Sequence, residues 1–336
     1  MNMATMKDVA AKAGVSVFTV SSVINDSAKI APSTRERVLR AIAELNYIPN
    51  SIARSLRTQK SRTVGVLFPL FSSSTSRAFF GTVAEGIHDV LRENGYHLIL
   101  SGITLSPAPD EEQRELDNLA SKHIDGLIYA PVHCRQVSLK RENLPVVVVD
   151  RELLGFKGDR VFNNNFESSI EAVEYLISKG HRNIAYIGRR TEFSNHRERF
   201  LGYRKALEKN SLRFDLSLVK SAEKPDQVGI PLGYSACRDL LPLKVSAIFC
   251  NESYGTIGVL KYAKDYGLRI PGDLALITYD DLEWSEIVDP PLTVVRQPAY
   301  EMGNQAARIL LNRIENPDVR ARKLTLESKL IIRSST

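Results

Sequence analysis

Apolar residues at Met6, Val9, Ala10 and Ala13 recur at the i, i+3, i+4, i+7 spacing of one helix face. Thr5 stands where a side-chain oxygen can accept from the first free N–H groups, and Gly14 where a left-handed residue can stop the helix. A second short helix is predicted over 17–24, capped by Ser16, with Val20, Val23 and Ile24 as its inward stripe. A third follows Ala31-Pro32-Ser33, with Val38, Ile42 and Leu45 facing in and Arg35, Arg37 and Arg40 facing water. Two short helices around a Gly turn, backed by a third, are what a helix-turn-helix requires. A small helical interaction module would share the pattern, so periodicity alone leaves both readings open.

Beyond Arg62 the period changes. Short runs rich in β-branched residues (64–68, 97–100, 127–130, 146–150) alternate with amphipathic helices near 78–94 and 110–121. A second set follows, with runs at 161–162, 184–188, 247–250 and 274–280 and helices near 167–179 and 197–210. Continuous apolar strands between helices mean parallel sheets covered on both faces. Two sets predict two doubly wound subdomains, with ligands bound outside the carboxyl ends of the strands. The segments at 293–296 and around 324–332 are expected to cross between the subdomains, making each discontinuous. The expected division is subdomain N over 63–162 plus 293–322, and subdomain C over 163–292 plus 323–336.

Charge sharpens this organisation. Of 45 basic and 39 acidic residues in the 336-residue chain, ten and four fall in residues 1–62, leaving 35 of each in the rest. The whole net +6 therefore sits in a basic head on a neutral body, which suits a polyanion but does not require one. Three scattered cysteines (Cys134, Cys237, Cys250) supply neither a disulfide framework nor a zinc site, and fit a reducing compartment. No apolar run approaches the roughly 18 residues of a membrane span. A cytoplasmic protein with no membrane association is expected.

The head also carries a family pattern. Thr5-Met6-Lys7-Asp8-Val9-Ala10, Ala13-Gly14-Val15-Ser16, Thr19-Val20-Ser21 and Val23-Ile24-Asn25 resemble the headpiece of the lac repressor (LacI/GalR) family of bacterial regulators. So does Ala43-Glu44-Leu45-Asn46-Tyr47-Ile48-Pro49-Asn50 with Ala53-Arg54-Ser55-Leu56. The resemblance implies an all-α helix-turn-helix headpiece over 1–49, a hinge helix and linker over 50–62, and an α/β effector-binding and dimerisation body over 63–336. The body would be two doubly wound parallel-sheet subdomains of periplasmic-binding-protein type. It further implies that Val17, Phe18 and Ser22 face base edges, and that Thr5, Ser16, Thr19, Ser21, Asn25 and Thr34 hold phosphates without reading sequence. Tyr47, Asn50 and Ala53 join that DNA-contacting set. Leu56, on a hinge helix too short to be stable alone, would wedge into a central minor-groove step.

One departure matters. Many relatives carry an Arg at the position of Ser22, and its loss removes the commonest guanine contact, so their operator preference is not transferable. Phe18 either packs on a thymine methyl or braces its helix.

The parts of an enzyme are missing from the sequence. There is no Gly-Lys phosphate loop, no His-Glu-x-x-His, and Gly233-Tyr234-Ser235-Ala236-Cys237 fails the nucleophile elbow at its last position. No catalytic residue, metal or cofactor is expected. Effector-site candidates fall instead at strand ends. Arg199, within Arg197-Glu198-Arg199-Phe200-Leu201-Gly202-Tyr203, resembles the family's effector arginine, and Asp280, in Tyr279-Asp280-Asp281, its aromatic-Asp-Asp motif. Arg and Asp together suit vicinal hydroxyls, one donating a fork and the other accepting twice. Asn251, Asp150 and Ser72 add polar groups, and Phe80 and Trp284 apolar faces for a sugar ring. The arginines 189, 190 and 197 are either solvent-facing or the mark of an anionic effector, against which Asp280 argues. The expected protein is a homodimeric repressor of carbohydrate genes, binding a pseudopalindromic operator and switched by a small molecule, a sugar first, with a sugar phosphate, sugar acid or nucleobase as alternatives. A sugar sensor whose basic head contacts a protein is the rival. The chain shows no leucine-heptad tail of the tetrameric kind, so a dimer is expected.

Overall fold

A computed structural model describes residues 4–24, 30–47, 60–70, 74–104, 108, 110–132, 137, 143–189, 193–221 and 228–336, without the side chains of 74–76. Asn25, Asn50, Ala53, Leu56, Ser72, Cys134 and Arg190 lie outside these residues, as does the hinge helix expected from 50. The chain divides into two compact units, 1–61 and 62–336, each described here by itself.

The first unit holds α1 (Met6–Ala13), α2 (Val17–Ile24) and α3 (Pro32–Glu44). Thr5 and Asp8 form a reciprocal box at the start of α1: the Thr5 N–H donates to the Asp8 carboxylate at 2.8 Å, and the Asp8 N–H donates to the Thr5 hydroxyl at 3.4 Å. Gly14 ends the helix at φ +63°, a left-handed conformation that a β-carbon would strain. The Thr19 N–H donates to the Ser16 hydroxyl at 3.1 Å, capping α2. Val9, Ala10, Ala13, Val20, Val23, Val38, Ala41 and Tyr47 fill the core, which is small enough that each cap is a sizeable share of its stability.

The second unit is built on two six-stranded sheets. The first runs β11 (Lys323–Leu326), β5 (Asp159–Asn163), β4 (Val146–Val149), β3 (Gly126–Tyr129), β1 (Thr63–Phe68), β2 (His97–Gly102), all parallel. The second runs β12 (Lys329–Ile331), β10 (Thr293–Arg296), β9 (Ala275–Tyr279), β8 (Ala247–Cys250), β6 (Ile184–Ile187), β7 (Val219–Lys220), parallel except β12. Strand residues alternate between layers. Val64, Val66 and Phe68 meet α4 (Ser74–Glu93) and α11 (Ala299–Glu315), whereas Leu67 meets α5 (Glu111–Ser121). On the second sheet α6 (Asn165–Ser178) and α7 (Ser194–Lys209) cover one face. The other face is covered by α8 (Ile230–Leu240) and α9 (Ser253–Tyr266). A short α10 (Glu283–Ile287) follows β9.

Strand pairing corrects the expected subdomain boundaries. β10 lies in the second sheet, with Thr293 opposite Ile277, because Val294 and Val295 complete that sheet's core. β11 lies in the first, with Lys323 opposite Arg160. The chain thus crosses near 164, 297 and 327, and α11 returns to cover the first sheet. The crossings are tied sideways. The Asn163 amide donates to Gln297 Oε1 at 2.8 Å, the Asn164 N–H to the Leu326 carbonyl at 2.9 Å, and the Ser328 N–H to Asn164 Oδ1 at 2.8 Å.

Candidate functional site

On the head, the expected base-reading positions are the ones left in water. Burying Val20 and Val23 turns Val17 and Phe18 outward, and they are 41% and 79% exposed. Ser22 is half-buried beside them; Thr5 and Ser16 are exposed, and Thr19 and Thr34 partly so. Two members of the expected set differ. Ser21 is on the inward side of α2, and Tyr47 packs into the core, so packing is the first role of each. Exposed Lys7, Lys12, Arg37 and Arg40 keep the unit's surface basic.

The second site gathers where the carboxyl ends of the strands of the body lie. Arg199, on the second turn of α7, is 3% exposed and stacks on Tyr279, its guanidinium carbon 3.7 Å from the ring centre. Its nitrogens donate to Asn165 Oδ1 at 2.9 Å, the Asn251 carbonyl at 3.1 Å and Gln297 Oε1 at 2.9 Å. Gln297 in turn donates its amide to the Asp280 carboxylate, which also accepts from the Ser253 hydroxyl at 3.3 Å. One glutamine on a crossing segment thereby links Arg199, Asp280 and Asn163. Asn251 extends the network, donating to the Tyr186 hydroxyl and sharing a 3.2 Å hydrogen bond with His196 Nδ1.

Asp150 occupies in the first sheet the place that Asp280 occupies in the second. Each follows the end of a strand and turns left-handed, at φ +64° and +68°, a strained conformation that Asp tolerates better than most residues. Both Asp150 carboxylate oxygens accept from the Asn195 amide, at 3.1 and 3.0 Å, and one also accepts from Arg151 at 3.0 Å. Arg151 stacks on Phe193 at 4.3 Å, and the Glu152 N–H donates to the Ser194 hydroxyl at 2.9 Å. Residues 150–152 of one subdomain are thus clasped to 193–195 of the other.

The electrostatics follow from burial. Desolvation pushes the Asp280 carboxyl above its ordinary range, against the pull of Arg199, Gln297 and Ser253. Burial pushes His196 well below its ordinary value, and Arg199, Arg189 and Arg151 push the same way, so the ring is neutral and serves as a hydrogen-bonding group. Burial likewise pushes Glu252, beside Asn251, up.

Of the expected effector residues, Arg199, Asp280 and Asn251 meet in one network, with Asp150 in the clasp beside it. Two do not join them. Phe80 is 1% exposed in the core of the first subdomain, its ring 4.9 Å from that of Phe68 and 5.8 Å from the Arg151 guanidinium carbon, so it packs beneath the clasp rather than in the hydrogen-bond network. Trp284 is outside the hydrogen-bond network but lines a cavity of about 960 Å³ that Asp280 and Gln297 also line, together with Phe79, Tyr254 and Tyr300. Gln297, Asn165, Asn195 and Phe193 were not foreseen, although Gln297 follows a strand and could have been found by the rule that selected Asn251 and Asp280. Among the described residues there is no cluster fit to hold a metal ion, and no helix long and apolar enough to cross a membrane.

Comparison with known proteins gives this geometry a context. Residues 5–50 match the family described as bacterial regulatory proteins, lacI family, and residues 173–336 match a periplasmic binding protein-like domain. The chain is 33% identical to the ribose operon repressor of Haemophilus influenzae over 335 residues, 99% of this chain and 98% of that one. It is 32% identical to the HTH-type transcriptional repressor PurR of Vibrio campbellii over 342 residues, again 99% and 98%. The lac repressor dimer, solved bound to operator and the anti-inducer ONPF, shares its fold with a TM-score of 0.84 at 24% identity, covering 99% of each chain.

Proposed function

The chain belongs to the lacI family of bacterial regulatory proteins, DNA-binding transcriptional repressors and not enzymes, and from that premise we propose what it reads and what it senses. It acts in the bacterial cytoplasm as a homodimer on a pseudopalindromic operator. Val17, Phe18 and Ser22 meet base edges, while Thr5, Ser16, Thr19 and Thr34 set register on phosphates. Phe18 reads by apolar contact, since an aromatic ring 79% exposed on a helix with an apolar face available finds its partner outside the unit. Asn25, Asn50, Ala53 and Leu56 complete the interface, Leu56 as the minor-groove wedge. Fluorescence anisotropy with a labelled operator tests this reading: affinity should fall steeply as salt rises.

The effector is a neutral sugar held by Arg199, Asp280 and Asn251. One observation carries this: a buried guanidinium and a half-buried carboxylate joined through one amide at the strand ends. Vicinal hydroxyls can replace Gln297 between them, accepting from Arg199 and donating to Asp280. The carboxylates of Asp150, which is buried, and Asp280, which is half-buried, oppose an anion. The ligand shifts the opening of the two subdomains only by its different affinity for the two arrangements. Titration calorimetry with ribose, other neutral sugars and purine bases tests it. Saturable sugar binding that Asp280→Ala abolishes supports the reading; unchanged affinity in that variant removes Asp280 from the site. A purine is the second reading, favoured by the relative named PurR and by the flat Arg151–Phe193 stack beside the network. Binding of purines alone would select it.

A further inference from the structure

A second cavity, of about 260 Å³, lies beside the clasp, lined by Glu152, Leu153, Leu154, Gly155, Phe156 and Arg160 of the first subdomain and by Ser194 and Arg197 of the second. This is room for a compact organic molecule rather than a single water, whose share of liquid volume is about 30 Å³. Arg160 is what makes it unusual. Its Nε is fully buried and has no hydrogen-bond partner, and its guanidinium makes no ion pair with any described residue. The rest of the side chain is partly exposed, so water reaches the group, and an oxyanion in the cavity would supply the partner that the buried Nε lacks.

The other charges around the cavity are named readily. Glu152 is shared between Arg197, at 3.8 Å, and Lys323, at 4.0 Å, all three about half exposed. Glu198, on α7, lies close enough to interact with Glu152, Arg197 and Lys323. Three cations therefore face two carboxylates, and Arg160 is the one left over. Leu153, Leu154 and Phe156 provide an apolar floor, and Leu154 remains 70% exposed although it lies against a cavity. Guanidinium groups above an apolar floor fit an organic oxyanion better than a bare inorganic one.

We propose that this cavity is a second ligand site, distinct from the Arg199–Asp280 network, that takes a small organic oxyanion, a phosphate monoester or carboxylate with an apolar flank. Both subdomains line it, so its ligand favours the arrangement in which they meet. The site offers the regulator a second signal, from an acidic metabolite, without admitting an anion among the carboxylates of the main cleft.

Calorimetric titration of the full chain with phenyl phosphate, against inorganic phosphate as the ringless control, tests the proposal. The expected result is one saturable site, at least tenfold tighter for phenyl phosphate. Arg160→Met and Arg197→Gln should each weaken it at least tenfold, and Asp280→Asn should leave it unchanged. Absence of saturable binding, or equal affinity in both arginine variants, overturns the site. An affinity that changes in Asp280→Asn places the anion in the main cleft and overturns it too. Equal affinity for the two probes overturns the apolar floor and with it the organic ligand. Should Arg160→Met fail to fold, the half-exposed Arg197 carries the same test.

Discussion

The reading face of the head and the cleft of the body treat the same problem in opposite ways. On α2, Val17 and Phe18 keep much of their apolar surface in water. In the cleft, Arg199, Asn251 and Asp150 are buried, Asp280 is half-buried, and all four are hydrogen-bonded to protein. A convex surface that awaits a macromolecule can stay without its partner, because water hydrogen-bonds its polar groups and its apolar side chains leave no hydrogen bond unmade. A concave site cannot, because a buried polar group without a partner costs about 1–3 kcal/mol. The head therefore separates binding from stability, and the cleft merges them: a ligand must replace bonds that the empty protein already makes.

Substitutions can break that contrast, and the largest effect belongs to the cleft. Arg199→Ala strips donors from Asn165, Asn251 and Gln297 together, so it should destabilise the body by about 3 kcal/mol as well as abolish effector binding; chemical denaturation monitored by circular dichroism reads the loss. A stability unchanged by this variant would mean the network is not the support described. Next is Thr5→Ala, which removes one half of a cap from a three-helix core and should cost about 1 kcal/mol, seen as a lower melting midpoint of the isolated operator-binding signal.

A smaller effect has the opposite sign. Burial raises the Asp280 carboxyl in the folded chain, so the ionised group opposes folding at neutral pH. Stability linked to this group grows as pH falls through its raised folded value toward the ordinary 3.8. Asp280→Asn should therefore melt higher than the natural chain at pH 7, with the gap closing below about pH 4. A lower midpoint at pH 7 would show that the Gln297 and Ser253 bonds outweigh desolvation. The smallest effect on folding is expected of Phe18→Ala. It should leave stability within about 0.5 kcal/mol while weakening operator binding at least tenfold, and anisotropy with unchanged affinity would reduce Phe18 to a brace.

The legible parts of this molecule are those where one residue type does one local job. Thr5, Gly14 and Ser16 mark helix ends by capping chemistry, and α1 and α2 begin and end where they indicate. The β-branched runs likewise give the strands. Helices α8, α9 and α11 were not foreseen; each carries an internal glycine, which locally disfavours a helix, as do α4 and α7, which were. The reason for those glycines is tertiary. A β-carbon on Gly233 would sit 1.8 Å from the Gly255 carbonyl oxygen, and one on Gly303 would sit 1.9 Å from that of Val83. In the cleft, strand-end position together with family resemblance pointed to Asn251 and Asp280, and family resemblance to Arg199. Gln297 was missed because its importance lies in joining residues 98 and 134 positions away, which no local pattern encodes. Phe80 had no signal of its own, because an aromatic residue reads the same in a core as on a ligand face.

The three crossings, tied to one another through Asn163, Asn164, Gln297 and Ser328, have a mechanical meaning. A single connecting strand is a swivel, free to bend and twist in any direction. Three laid side by side and laced together resist shear and torsion and yield about one axis. The body is then a joint with one degree of freedom, and every molecule that enters it, whatever its chemistry, is translated into the same coordinate: an angle.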